Sequence, residues 1–205
     1  MIDISPFLLA QQQETLRGFP VQFLQEDFFQ MDESVLSNID LAILNEVVGD
    51  FPTACMIPRD MLLECSGPED PLLRELRRIY NCYRLTPPIM EQLTVNLGAI
   101  QALERLCAAR IPYIYISEHS CEACVPKQFM GLLEIATPGE PERIRLRGHD
   151  EYTIRFSDLE RVAAIFGYTS KRGQYFDFIE PMIEGEVEFI LRLGASKIDR
   201  HEIIR

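Results

Sequence analysis

The chain has no apolar run approaching the ~20 residues that a membrane-spanning helix needs. Its N-terminus also lacks the basic start followed by an apolar stretch that marks an exported protein. A soluble, cytoplasmic protein is the expectation. Positive charge is scarce: 20 Lys and Arg stand against 32 Asp and Glu, giving a formal net charge of -12. A nucleic-acid backbone would be repelled by the average field of such a chain. The best basic stripe, Arg143, Arg145 and Arg147, alternates along an apparent strand and reads as a solvated strand face. Internal repeats, low-complexity segments and linkers are missing too, so the 205 residues, 47% of them hydrophobic, are expected to form one domain, 1–205. The six cysteines (Cys55, Cys65, Cys82, Cys107, Cys121, Cys124) are not spaced as a disulfide framework and suit a reducing compartment.

What is present alternates between strands and helices. Met1 to Ile4 reads as a short strand; Ser5 then supplies an N-cap hydroxyl and Pro6 the first helical position of a helix that stops before Gly18 and Pro20. Val21 to Leu24 and Leu41 to Leu44 read as further strands, the second a continuous apolar run of the buried parallel kind. Residues 57–110 read as a helical segment, with a long helix opening at Thr86-Pro87-Pro88 whose buried face is Ile89, Leu93, Leu97, Ile100, Leu103 and Cys107. Tyr113 to Ile116 is a fourth strand. Residues 126–156 read as a hairpin or loop insertion, with Gly131 to Ile135 and Arg143 to Leu146 flanking a turn. Ser157 to Glu160 has the pattern of a capping box for a helix ending at Gly167, and Tyr175 to Ile179 and Val187 to Leu193 read as a closing antiparallel pair. The class is α/β, with a mixed, mostly parallel sheet.

Ligands of open parallel sheets bind beyond the carboxyl ends of the strands. Asp3, Asp27, Asn45 with Glu46, and Glu118 with His119 all fall at such ends. Asn45 and Glu46 end a buried strand, where polar side chains need partners; a carboxylate there could hold a guanidinium or amine, or either residue could act as an N-cap. His119, with a reference pKa near 6.5, could serve as a general base oriented by Glu118, or could be structural.

Several stretches resemble the class I S-adenosylmethionine-dependent methyltransferases. "MIDISP" is similar to their second strand, "LQEDFF" to the end of the third, and "IDLAILNEVVGDFP" to the fourth strand and following loop. "FSDLERVAAIFGY" resembles the last crossing helix and "GEVEFILRL" the final strand. "ISPFLLAQQQETL", the Asn-Glu pair and Asp50-Phe51-Pro52 are most like the MidA-type group, which is associated with protein arginine methylation. The resemblance implies a Rossmann-like methyltransferase fold and S-adenosylmethionine as cofactor. Asp3, with Ser5 beside it, would bind the ribose, Asp27 would face the adenine amine, Phe28 would stack on adenine, and Asn45 would line the same site. Glu46, Asp50 and Glu118 would hold a small-molecule or protein substrate, and His119 and Glu46 would serve catalysis. Family members carry a first strand and a Gly-rich turn ahead of the second strand, at the sheet centre; the chain contains no Gly-x-Gly and opens directly on the Asp3 strand, so an N-terminally truncated fold is the expectation.

Two other readings stand beside this one. A methyltransferase-like chain without a glycine turn could be a non-catalytic binding protein, for example a homodimer. "EHSCEAC" offers His119, Cys121 and Cys124 as zinc donors or a redox dithiol; a structural zinc site wants a fourth ligand, which Cys55 or His149 could supply in space. Packed or exposed thiols are the plainer account, and no metal is assigned.

Overall fold

Leu41–Asn45 is an apolar run and Tyr113–His119 begins as one rich in β-branched and aromatic residues, and they pair in parallel as β3 and β6, with Leu41 opposite Tyr113 and Asn45 opposite Ser117. In the computed structural model, residues 1–63, 70–122, 139–174 and 201–204 are described. The architecture is mixed α/β with small parallel and antiparallel sheets.

β1 (Ile2–Asp3) and β2 (Leu24–Gln25) form a parallel pair joined by α1 (Pro6–Thr15), whose N-cap Ser5 accepts a hydrogen bond from the Leu8 amide at 3.3 Å. α2 (Glu33–Leu36) leads into β3. A four-stranded sheet runs β3, β6, β10 (His201–Ile204), β9 (Arg172–Gln174), with β10 antiparallel to both neighbours. α3 (Arg59–Leu63) and α4 (Pro71–Tyr83) follow β4 (Ala54–Pro58). α5 (Leu97–Ala108) packs on α6 (Phe156–Ile165), and Ile100, Leu103, Leu106, Leu159 and Val162 enter one core with Leu44 and Ile116. Each such side chain stabilises the fold by roughly 1.5–3 kcal/mol through removal from water.

Several local readings are corrected. No helix opens at Thr86: Gln92–Val95 is a strand, β5, antiparallel to β4, and α5 begins only after its N-cap, Asn96. Leu93 and Val95 are buried as alternate residues of that strand, and Ile89 is exposed. The segment 57–110 is therefore interrupted by β5. β7 (Arg143–Arg145) pairs antiparallel with β8 (Asp150–Tyr152), and the strand expected at 131–135 lies outside the described residues. Arg143 pairs with Asp150 on its exposed face. Ser157 does not cap α6, because the helix starts one residue earlier and the Ser157 amide and hydroxyl both donate to Glu122, at 2.9 and 2.6 Å. Gly167 does end that helix, with φ +85°. The strands expected at 175–179 and 187–193 also lie outside the described residues; β9 and β10 are the described C-terminal strands.

Candidate functional site

The carboxyl ends of β3 and β6 lie side by side because the two strands pair in register, Asn45 against Ser117. Glu46 then leaves the ladder in the left-handed region, φ +49°, its amide still donating to the Ser117 carbonyl at 2.9 Å. A non-glycine residue held in that conformation costs on the order of 1 kcal/mol and turns the chain sharply off the strand. The turn delivers a short 3-10 helix, Val48–Asp50, onto the end of β6.

Glu118 fastens that helix. Its side chain is buried, Oε2 accepts the Gly49 amide at 3.1 Å, and Oε1 accepts the His119 amide at 2.9 Å. The same Oε1 lies 3.3 Å from His119 Nδ1, so Glu118 is placed to orient the half-buried imidazole. Gly49 is required by space, since a Cβ there would lie 3.0 Å from the Tyr152 carbonyl and 3.1 Å from Glu118 Oε2.

The β7–β8 hairpin closes over this rim. His149 Nε2 sits 3.2 Å from Asp50 Oδ1 and 3.3 Å from Glu151 Oε1. Partial burial raises the Asp50 carboxyl above its usual value; His149 opposes the rise and Glu118 adds to it. One nitrogen and two carboxylate oxygens from Asp50, His149 and Glu151 lie within 4.8 Å of one another, a donor set of the kind that holds a divalent cation. His149 and Glu151 were not legible as neighbours of Asp50; Tyr152, next along the hairpin, accepts from the Cys55 thiol at 3.2 Å. The only local signal is a His-Asp-Glu-Tyr run within the hairpin.

The remaining candidates belong to the β1–β2 unit. Asp3 accepts the Ser5 amide at 2.9 Å and the Gln12 amide group at 3.0 Å. Asp27 accepts the Phe29 amide and the Gln30 side chain, both at 2.9 Å. Phe28 stacks on Phe51 with ring centroids 6.2 Å apart, and the Arg105 guanidinium lies 5.8 Å from its centroid. Phe28 and Phe51 directly follow Asp27 and Asp50, so this contact brings the end of β2 to the loop after β3. Asn45, Glu46, Asp50, Glu118 and His119 are thus gathered on one rim, with Asp27 joined to it through the aromatic contact and Asp3 and Ser5 at the head of α1.

Cys121 is fully buried, with Sγ 3.4 Å from the Ile154 carbonyl, and burial pushes its thiol well above the usual range. That is the opposite of what a reactive thiolate requires. Cys124 lies outside the described residues. No helix among the described residues is long and apolar enough to cross a membrane. No protein-family model matches the chain, and neither a curated protein nor a solved structure matches it.

Proposed function

We propose that the chain is a methyltransferase-type domain that takes S-adenosylmethionine and acts on a protein side chain or a small molecule. The observation that carries this reading is the strand arrangement: β3 and β6 are parallel, β10 is inserted antiparallel between β6 and β9, and the polar carboxyl ends of β3 and β6 share a rim. A mixed, mostly parallel sheet with antiparallel C-terminal strands is the expected class, and this arrangement is compatible with it.

The ribose and adenine end of the cofactor suits the residues available. Asp3 and Asp27 are partly exposed, and each carboxylate uses two of about four lone-pair sites on local donors, which leaves acceptors for hydroxyl or amine protons. The methionine end has no matching Gly-x-Gly turn in the sequence. The bound cofactor would supply an electrophilic methyl group, and the chain's own task is to hold the acceptor in line. His119, oriented by Glu118, is the base for a proton on that acceptor, and Glu46 and Asp50 are the carboxylates for a cationic substrate.

Calorimetric titration of S-adenosylhomocysteine into the folded chain tests the reading. A micromolar Kd, about -8 kcal/mol, weakened at least tenfold by Asp3→Ala, is the expected result. A folded chain that gives no binding heat overturns it and leaves a non-catalytic binding protein, with partner contact or homodimerisation as its role.

A further inference from the structure

Asp50, His149 and Glu151 come together from two elements, the short 3-10 helix that follows β3 and the second half of the β7–β8 hairpin. Alternate side chains of an extended segment point to opposite faces. His149 and Glu151, two residues apart, both reach toward Asp50, while Asp150 between them turns away and pairs with Arg143. The His149 Nε2 atom is central to the group, 3.2 Å from Asp50 Oδ1 and 3.3 Å from Glu151 Oε1.

A protonated imidazole has a single Nε2 hydrogen, which satisfies one of the two carboxylates and leaves the other to water. A metal ion serves all three groups at once. Zinc takes nitrogen and oxygen donors at about 2.0–2.2 Å, which sets two donors on one tetrahedral ion about 3.3–3.5 Å apart. Both nitrogen-to-oxygen separations are close to that spacing, and the two carboxylate oxygens, within 4.8 Å of each other, can close on an ion by side-chain rotation. The charge balance points the same way. The buried Glu118 carboxylate is a third acid beside Asp50, bonded to the preceding Gly49 amide at 3.1 Å. Among the described residues, no lysine or arginine forms an ion pair with Asp50, Glu118 or Glu151, whose pairs are with His149 and His119. A dication supplies the charge that an imidazole, which titrates near neutral pH, supplies only in part.

We propose that Asp50, His149 and Glu151 bind a first-row divalent metal ion, with zinc the best fit, which ties the β7–β8 hairpin to the loop after β3. An imidazole with carboxylates suits zinc and its neighbours, whereas magnesium and calcium favour all-oxygen shells. Three protein donors leave at least one coordination position for water or a substrate atom. The inference does not rest on S-adenosylmethionine; where it holds, Asp50 serves the metal ion and Glu46 remains the carboxylate for a cationic substrate.

The test is equilibrium dialysis of the chelator-stripped full chain against Zn2+ with metal analysis, repeated with Co2+ for its absorption spectrum. A single bound ion per chain is expected, without the sulfur-to-cobalt charge-transfer band that a site at Cys121 and Cys124 would give. Outer partners of metal ligands alone are worth about 10–100-fold in affinity, so His149→Gln, Asp50→Asn and Glu151→Gln should each weaken binding at least tenfold. All three positions are at least partly exposed, and circular dichroism checks that each variant folds. Cys124→Ser should leave binding unchanged. Zinc should also slow hydrogen exchange across residues 148–152 in the parent and not in His149→Gln. No stoichiometric binding by the folded chain, a charge-transfer band, or equal binding by the three variants overturns the proposal and leaves the group as an ion pair.

Discussion

Glu118→Ala is expected to destabilise the chain by about 2–4 kcal/mol, and the reasoning runs through two bonds. The side chain accepts the buried Gly49 amide at 3.1 Å and the His119 amide at 2.9 Å. A hydrogen bond to a charged group contributes about 1.5–3 kcal/mol, and a buried donor left without a partner costs about 1–3 kcal/mol. Against this stands the several kcal/mol that burying a carboxylate costs, relieved in the variant, which cuts the sum to the figure given. Glu118→Gln keeps one acceptor oxygen and the shape, and should cost about 1–2 kcal/mol. Urea unfolding followed by circular dichroism reads both; with a slope of about 2 kcal/mol per molar, the alanine variant should unfold roughly 1–2 M earlier. Hydrogen exchange should speed up at Gly49 and His119 ahead of the rest of β6. An alanine variant within ~0.5 kcal/mol of the parent would refute the role of Glu118 as the strut of the rim.

Asp158 gives a pH signature. Burial lifts its carboxyl to about 7, with Arg155 opposing the shift and Glu122 and Glu140 adding to it. A folded-state value above the unfolded one near 3.8 means that its contribution to stability is fully present below that lower value and lost as pH rises through about 7. Asp158→Asn should flatten the stability profile between those limits and gain on the order of 4 kcal/mol at most over the parent at pH 8, by 1.36 kcal/mol per pKa unit; an unchanged slope in pH-dependent urea midpoints would contradict it. In native alkylation at pH 8 mapped by mass spectrometry, the exposed Cys55 and Cys82 should react, while Cys121 and Cys107, their thiols raised by burial, should wait for unfolding. Fast labelling of Cys121 would restore it as a redox candidate.

The features legible in the sequence are those that local chemistry determines. Ser5 and Pro6 start α1, the apolar runs at Leu41 and Tyr113 become paired parallel strands, and Gly167 stops α6. Polar residues at the ends of two neighbouring strands had to share a rim once those strands paired, which gathers Asn45, Glu46, Glu118 and His119; the run at Leu41, expected to be buried, buries only Leu44 and leaves Leu41 and Ile43 exposed. The rest depended on partners distant in sequence. Leu93 shares helical spacing with Leu97 and Ile100, yet it belongs to a strand because residues 54–58 pair with 92–95. Ser157 stands in a capping pattern, but the Glu122 carboxylate captures it. His149 meets Asp50 from far along the chain, and no local periodicity encodes such a meeting.

Phe51 and Pro52 are wedged between two layers. Phe51 stacks on Phe28 and meets the edge of Phe29 at 5.0 Å, while on the other side a Cβ on Gly98 would fall 2.7 Å from the Phe51 Cβ and 2.8 Å from Pro52. The Gly98 amide also donates to the Pro52 carbonyl at 2.7 Å. The segment carrying Asp50 is therefore immobilised in folding, before any ligand arrives. A molecule landing on the rim meets side chains already held in place, and the ordering entropy that a mobile loop would subtract from its affinity has been absorbed by the aromatic packing.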